Sequence, residues 1–291
     1  MKIHAITTGH VRLTRRWCEG RVGDPLRLAR TMLDREFTGW LPIWCWVIEH
    51  PEGLILIDTG RAVDANRPNW FPPWMRLVQR AAVFDEMAAE QEIGPMLRSR
   101  GLAPGDIRWV ILTHLHGDHA DGLRHFPKAE VLIAAAEWSA ATGMGGRMQG
   151  YQNQRWPTSL SPRLIAFADG QFRGFPRHHI LTRREDVRLV PTPGHSAGHL
   201  SVILEEDERL ICFAGDVSYT QRLMLEGEID GVALSPKDAW QSVLRMRQLV
   251  QALPTVYLPS HDPDAARRLE QREIVGGDAS AIRYLQEAMS R

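Results

Sequence analysis

The chain has 291 residues, of which 44% are hydrophobic and 24% are charged, a composition that is ordinary for a soluble globular protein with a sizeable core. Its 35 Lys and Arg residues are balanced by 35 Asp and Glu residues, so the basic excess that is typical of nucleic-acid-binding proteins is missing. Cys18, Cys45 and Cys212 show no CxxC spacing, and we interpret them as free thiols of a reducing compartment.

The sequence contains no targeting segment that we can identify. The N-terminal residues MKIHAITTGH lack the apolar stretch of a signal peptide. The most apolar run, residues 41–48, is far too short to span a bilayer. These patterns predict a cytoplasmic protein with no membrane span and no nucleic-acid partner.

The patterns in the first sixty residues predict a strand, a long loop and a hairpin. Residues 2–7 alternate in polarity and indicate an outer strand, whereas 8–37 are rich in Arg and Gly and are predicted as loop. Two apolar runs, 40–50 and 54–60, are joined by the turn sequence Pro-Glu-Gly at 51–53. This hairpin is expected to contribute at least one face to a core.

The next segments are an insertion, a helix and a strand. Residues 61–80 carry Pro and Trp, and their aromatic side chains either cover a site as a lid or pack on the body of the domain. Residues 82–99 predict a helix that Gly94-Pro95 kinks or breaks. Residues 109–112 are rich in β-branched and aromatic side chains and predict a short buried strand.

The second half of the chain alternates strands with helices, except for residues 142–185, which we do not assign. The predicted strands are 187–191, 200–204, 209–214 and 255–258, and residues 130–136 are predicted as a strand or as a passage from strand to helix. A helix is predicted at 235–253, with Ser235 as N-cap and Pro236 in its first turn. A final helix is predicted at 279–289.

The segment ILTHLHGDH at 111–119 contains the clearest chemical motif. In extended backbone, residues two apart project to the same side, so His114 and His116 can bind one cation together. Gly117 allows a tight turn, and Asp118 and His119 follow on its other side.

Seven polar side chains follow the C-terminal ends of predicted strands. They are His114, His116, Asp118, His119, His195, Asp216 and His261. Because groups at strand ends can converge at one edge of a sheet, we expect a shared site. Imidazoles and carboxylates suit zinc, and also iron, manganese or cobalt. The number of donors predicts two ions that share a carboxylate, an arrangement suited to hydrolysis in which negative charge develops.

The motif HLHGDH, followed by PGHSAGH (193–199), AGD (214–216) and SHD (260–262), resembles the metallo-beta-lactamase superfamily. The resemblance implies an α/β fold, an αββα four-layer sandwich. It is expected to form one domain over residues 1–291, with insertions near 61–80 and 142–185 and a helical tail at 262–291.

The resemblance also implies roles for individual residues. One metal ion would be held by His114, His116 and His195, the other by Asp118, His119 and His261, with Asp216 as a bridge. Asp58, in the matching segment IDTG, would support the site from behind; from the residues alone it is equally well a turn-capping group. His199 is expected to be structural or supporting, not a ligand.

Two further segments, LPIWCWVIEHPEGLILIDTG (41–60) and GDVSYT (215–220), resemble the N-acyl-homoserine lactonases. This implies opening of a lactone ring, with the Tyr219 hydroxyl bonding the carbonyl or leaving oxygen and Asp118 moving a proton; the alternative for Tyr219 is core packing. Candidates for an acyl groove, each of which could instead be plain packing, are Trp40, Trp44, Phe71, Met144 and Met148. Asp121 departs from the glycine usual in the family.

Several alternatives keep the same metal motif. A thioester hydrolase like glyoxalase II, or a phosphotriester hydrolase, would retain all the ligands, whereas exported zinc β-lactamases use cysteine at the position of Asp216. A metal-bound scaffold without activity would be expected to have lost a ligand or Tyr219. A homodimer is also predicted, because the apolar face at 282–289 and the insertion at 61–80 are candidate interfaces.

Overall fold

A computed structural model of the chain describes residues 1–67, 70–71 and 82–276. These residues form two compact units. Unit 1 comprises the described residues of Met1–Arg15 and Met32–Ile165, and unit 2 comprises Arg16–Thr31 and the described residues from Ala166 onwards. The single domain over 1–291 and the homodimer stay predictions. Most of the insertion at 61–80, the helix at 279–289 and its apolar face lie outside the described residues.

Unit 1 is built on a seven-stranded sheet with the strand order β4-β1-β2-β3-β5-β6-β7. The strands are β1 (Lys2–Leu13), β2 (Leu41–His50), β3 (Gly53–Ile57), β4 (Val83–Glu86), β5 (Ile107–Ile111), β6 (Glu130–Ala134) and β7 (Arg163–Ile165). Strands β3, β5, β6 and β7 run parallel, and the other neighbours are antiparallel. Because β3 and β5 are parallel neighbours, they end at the same edge of the sheet.

The helices that follow the unit 1 strands are short. They are α3 (Ile93–Ser99), α4 (Gly117–Ala120) and α5 (Ala135–Thr142). One buried apolar cluster joins the sheet to these helices, with Val47 and Val110 from the strands and Leu97 from α3 among its members. The helix α4 begins at Gly117, inside the motif ILTHLHGDH, so the motif lies at the C-terminal end of β5.

The helix predicted at 82–99 is wrong in its first part. Residues Val83–Glu86 form β4, which pairs with the end of β1, and their exposure alternates along the strand as expected for an edge. A single 3-10 turn follows at Ala89–Gln91, and the α-helix begins at Ile93. Pro95 therefore lies in the first turn, where proline is tolerated, and it does not break a longer helix.

The loop predicted at 8–37 is also wrong in part. Strand β1 continues to Leu13 past an irregularity in its register between Thr7 and His10, where Gly9 has a φ of 94°. Two short helices follow, α1 (Arg15–Cys18) and α2 (Arg27–Leu33). No apolar periodicity marks these elements in the sequence. A glycine bulge interrupts the alternation in β1, and the residues of α2 are mostly exposed.

Unit 2 contains a five-stranded sheet with the order β12-β11-β10-β9-β8. Its strands are β8 (His179–Ile180), β9 (Val187–Pro191), β10 (Leu200–Glu206), β11 (Arg209–Gly215) and β12 (Thr255–Pro259). The helices that follow Ala166 are α6 (Gln221–Glu226), α7 (Pro236–Ala252) and α8 (Ala265–Gln271). Strands β11 and β12 are parallel neighbours, whereas the other pairs are antiparallel.

The long helix α7 confirms the prediction at 235–253. The Ser235 side chain accepts a hydrogen bond from the Asp238 N–H and so caps the helix. Val243, Met246 and Val250 recur at helical spacing and pack in the apolar cluster of unit 2 with residues of the sheet. Within the described residues, neither α7 nor any other helix is long and apolar enough to cross a membrane.

Candidate metal centre

The histidine pair His114 and His116 lies just beyond the end of β5. His114 Nε2 and His116 Nδ1 are 3.0 Å apart, with the two rings nearly perpendicular. On the far side of its ring, His116 Nε2 lies 3.0 Å from the Gln149 carbonyl oxygen. A carbonyl only accepts hydrogen bonds, so Nε2 carries the proton and Nδ1 is the ring nitrogen suited to a metal.

Asp58 contacts both the turn and a histidine at this edge. Its carboxylate accepts hydrogen bonds from the Thr113 N–H at 2.8 Å and the Thr113 hydroxyl at 2.9 Å, and from His119 Nδ1 at 2.8 Å. This orients His119 Nε2 towards Asp118, whose Oδ2 lies 3.9 Å away. Asp58 itself has a φ of 58°. One carboxylate therefore makes the contacts expected for both roles considered for Asp58, capping of the turn at Thr113 and support of His119.

Two contacts near the histidine pair come from a segment without a recognisable motif. Glu137, fully buried on α5, accepts a hydrogen bond from the Leu115 N–H at 3.0 Å, between the two histidines. The buried ring of Tyr151 lies 5.3 Å from the His116 ring. Glu137, Gln149 and Tyr151 were not predicted from the sequence, because no motif marks them.

In unit 2, Asp216 lies between two histidines. Its Oδ2 is 3.6 Å from His195 Nε2 and 3.5 Å from His261 Nε2. Asp216 follows β11 and His261 follows β12; since these strands are parallel and the Ser260 N–H donates to the Gly215 carbonyl at 3.1 Å, both side chains leave the sheet at one edge. A carboxylate between two imidazoles is the arrangement expected of a bridging ligand.

His199 is held by hydrogen bonds on both ring nitrogens. Its Nε2 accepts from the Asp216 N–H at 2.9 Å, and its Nδ1 lies 2.9 Å from the Thr192 hydroxyl. The Thr192 hydroxyl is in turn 2.9 Å from the Ser201 hydroxyl, which donates to the Ala214 carbonyl at 3.0 Å. His199 therefore supports the main chain at Asp216.

His195 has a carboxylate partner that the sequence analysis missed. The Asp230 carboxylate lies 3.2 Å from His195 Nδ1 and also accepts from the Val232 N–H at 2.9 Å. Both side chains are buried. Asp230 lies between the segment GDVSYT and helix α7, where no motif marked it. A carboxylate on Nδ1 fixes the ring with Nε2 towards Asp216.

Tyr219 is buried and its ring stacks on that of His261, with 5.2 Å between the ring centroids and 20° between the planes. Tyr219 follows Asp216 by three residues in the sequence, and in the structure its ring contacts His261, a predicted metal ligand. This arrangement is compatible with both interpretations of Tyr219, a role in the site and packing.

Asp121, the departure from the family pattern, is buried beside a second acid and an arginine. Arg61 Nη2 lies 2.7 Å from Asp85 Oδ2, and Arg61 Nη1 lies 3.7 Å from Asp121 Oδ2. Burial raises the pKa of Asp121 to about 7, against the opposing effect of the Arg61 charge. A Cβ on Gly117 would lie 2.3 Å from the Arg61 guanidinium, so this ion-pair cluster packs directly against the turn that carries Asp118.

The candidate groove residues have different environments. Trp40 is exposed, whereas the partly buried Trp44 packs against Trp46 on the same strand. The Phe71 ring lies beneath the Arg61 guanidinium at 5.2 Å. The remaining two candidates, Met144 and Met148, are fully exposed. The role of all five in substrate binding stays a prediction.

The residues present fit divalent metal ions. The set contains imidazole and carboxylate donors, which suit zinc and related ions, and it includes groups able to hold a metal ion. His116, His119 and His195 each have one ring nitrogen bonded to a protein acceptor. That pattern, in which the second nitrogen is fixed by the protein, is usual for metal-binding histidines.

Comparison with known proteins identifies relatives over most of the chain. The sequence model of the Metallo-beta-lactamase superfamily matches residues 38–261. An N-acyl homoserine lactonase of Bacillus cereus is 30% identical over 225 residues, which are 76% of this chain and 82% of that protein. The N-acyl homoserine lactonase AiiA of Bacillus thuringiensis subsp. kurstaki is 29% identical over 224 residues, with the same coverage.

Solved structures show the same fold. The structure of an N-acyl homoserine lactone hydrolase, with the product N-hexanoyl-L-homoserine at its catalytic metal centre, matches with a TM-score of 0.73 and 24% identity, covering 95% of this chain and 98% of that one. AidC, a dizinc quorum-quenching lactonase, matches with a TM-score of 0.62 and 14% identity over 90% and 87% of the two chains. The predicted fold class is confirmed: the chain is a mixed α/β protein with two sheets.

Proposed function

The chain belongs to the metallo-beta-lactamase superfamily and is a metal-dependent ester hydrolase, and we propose that it opens the lactone ring of N-acyl-homoserine lactones. The names of its relatives support this substrate class. Within the chain, the proposal rests on the position of Tyr219. Its ring stacks on that of His261. It also follows Asp216 by three residues, and the Asp216 carboxylate lies near two histidines.

We propose two divalent ions, with zinc as the first candidate and iron, cobalt or manganese as alternatives. One ion would be held by His114, His116 and His195, the other by Asp118, His119 and His261, with Asp216 shared. Such ions, when bound, polarise a carbonyl oxygen and lower the pKa of water. The distances from Asp216 to its two histidines support a shared carboxylate.

Two side chains would assist the opening of the lactone ring, one by stabilising negative charge and the other by transferring a proton. The Tyr219 hydroxyl would donate a hydrogen bond to the lactone carbonyl or to the leaving ring oxygen, where negative charge develops. The Asp118 side chain is 24% exposed, so its carboxylate can take up a proton and deliver it to the departing ring oxygen. Asp58 and His199 would hold His119 and the Asp216 main chain in place.

The test of the substrate class is proton release measured at constant pH. The substrates are N-acyl-homoserine lactones with C6 and C12 acyl chains, a plain γ-lactone, S-lactoylglutathione and paraoxon, each with the metal-loaded protein and with a chelated control. We expect fast, chelator-sensitive hydrolysis of both acyl lactones, and the ratio of their rates reports how the acyl chain is accommodated.

The other substrates represent the alternatives that the metal motif also permits. Turnover of S-lactoylglutathione without turnover of lactones would retain the metal centre and overturn the lactonase proposal in favour of a thioester hydrolase. Turnover of paraoxon alone would indicate a phosphotriester hydrolase. Lactone hydrolysis that survives complete removal of metal would contradict the metal-dependent mechanism.

A further inference from the structure

The segment Arg16–Thr31 belongs to unit 2, although it lies between β1 and β2 in the sequence. It approaches the loop that follows α6 very closely. Gly20 and Ile229 exchange main-chain hydrogen bonds of 2.7 and 3.3 Å, and the Gly231 N–H donates to the Trp17 carbonyl at 2.8 Å. A Cβ on Gly231 would lie 1.9 Å from the Arg16 carbonyl oxygen, so the contact requires glycine there.

Arg27 is a charged residue of this segment that contacts the main chain of the loop. Its Nη1 donates to the Asp230 carbonyl at 3.1 Å and its Nη2 donates to the Ala233 carbonyl at 2.9 Å. The guanidinium is planar and its donors keep a fixed spacing. Two such bonds therefore fix the loop between residues 230 and 233 more firmly than one bond would.

That loop carries the carboxylate that contacts His195. The Asp230 carboxylate lies 3.2 Å from His195 Nδ1, and the loop also contacts His195 through its main chain, since the Leu234 N–H donates to the His195 carbonyl at 3.3 Å. The orientation of the His195 ring thus depends on where the loop places Asp230.

We propose that Arg27 is a positioning residue of the metal centre, which acts on His195 through the main chain of the 230–233 loop and the Asp230 carboxylate. The inference rests on the proposed function only in that His195 binds a metal ion. Arg27 lies in the segment Arg16–Thr31, which has no recognisable motif and is far from His195 in the sequence. Loss of the Asp230 contact should loosen the ligand, and loss of Arg27 should do so through Asp230.

The experiment measures Co²⁺ binding by competition with a chromophoric chelator and records the visible spectrum of the bound Co²⁺, which reports ligand geometry. The variants are Arg27→Ala, Arg27→Lys, Asp230→Ala and the double variant. The matched control is Arg30→Ala, on the same helix, because Arg30 is exposed and pairs with Asp24. Thermal unfolding of each metal-free variant reports the stability of the fold separately.

Supporting partners of metal-binding histidines typically contribute about 10- to 100-fold in metal affinity. We expect a loss in that range for Asp230→Ala, with a changed Co²⁺ spectrum. For Arg27→Ala we expect a loss of about tenfold, at the lower end of the range because Arg27 acts indirectly. Arg27→Lys keeps one of the two carbonyl bonds and should lie between wild type and Arg27→Ala, and Arg30→Ala should match wild type.

The double variant separates positioning from general destabilisation. If Arg27 acts through Asp230, then removing Arg27 should change nothing further once Asp230 is alanine. Additive losses of affinity, or an Arg27→Ala protein with wild-type affinity and spectrum, would overturn the proposal. A wild-type protein that binds no Co²⁺ would overturn the metal centre itself and this inference with it. Normal Co²⁺ binding without lactone turnover would overturn only the substrate class.

Discussion

Asp216 is the residue on which the two proposed metal ions depend together. Its Oδ2 lies at nearly equal distances from His195 Nε2 and His261 Nε2, so one carboxylate oxygen is close to both imidazole rings. Asp216→Asn removes the negative charge that offsets two divalent cations. We expect this variant to lose both metal ions and all activity together, as measured by elemental analysis and lactone turnover. Full turnover by the variant would contradict the dinuclear arrangement.

Tyr219→Phe tests the hydroxyl without changing the ring that stacks on His261. Loss of one donor to a developing oxyanion typically lowers kcat by about 10²-fold or more, and we expect a loss of that order with both metal ions retained. The control is Tyr257→Phe, which removes a buried hydroxyl bonded to Ser218 at 2.9 Å and should leave kcat unchanged. An unchanged kcat for Tyr219→Phe would assign the residue to packing alone.

The turn that follows α5 contacts His116 through the Gln149 main-chain carbonyl. Gly150 has a φ of 97°, and a Cβ there would lie 3.3 Å from the His116 ring. We expect Gly150→Ala to weaken metal binding about tenfold, as for loss of a supporting contact, when affinity is measured by chelator competition. Gly174→Ala is the control, because Gly174 has a φ of 88° with open space around it. Equal effects in both variants would reduce the role of Gly150 to backbone strain.

The loop after β3, the strand β4 and the region after α4 are joined by one buried ion-pair cluster. Arg61 lies near Asp85 and Asp121, and all three side chains are almost inaccessible to solvent. Removing one partner of a buried pair leaves an uncompensated charge and typically costs about 3–5 kcal/mol. We expect Arg61→Leu to lower the free energy of unfolding by that order in urea denaturation. Arg67→Ala, which removes an exposed arginine paired with Asp64, should change it by less than about 1 kcal/mol.

The reactivity of the three cysteines reports on whether the fold is intact. All three are free and buried, which confirms the prediction of free thiols, whereas the reducing compartment stays a prediction. Burial raises the pKa of each thiol, to about 12 for Cys212, and only the thiolate is reactive. At pH 8 we therefore expect no reaction of the native protein with a disulfide reagent such as DTNB, and reaction of three thiols after denaturation. Fast labelling of the native protein would show that one unit opens readily.

The sequence predicted those parts of the molecule in which a local pattern determines the outcome. Strands β9–β12 and helix α7 carry clear periodicity and were predicted to within a few residues. The pairing of His114 with His116, and the place of Asp58 beside the motif, follow from side chains at strand ends. The assignment of these residues to two metal ions stays a proposal.

What the sequence did not reveal depends on contacts between distant segments. Strand β4 has only four residues, and it is a strand because it pairs with the far end of β1, a register that no local pattern encodes. Asp230 and Glu137 are single acids without a motif, and each is defined by the group to which it bonds. Arg27 acts on main-chain atoms, which carry no signature in the sequence.

The hydrogen bonds around His199 determine which of its two ring nitrogens carries the proton. A carbonyl can only accept, so the Ser201 hydroxyl gives its proton to Ala214 and must itself receive one from Thr192. Thr192 then has no proton left for His199 and accepts from Nδ1 instead. His199 Nε2 is therefore left as the acceptor for the Asp216 amide. The tautomer of one imidazole, and with it the hold on the main chain at Asp216, is set by a serine hydroxyl two hydrogen bonds away.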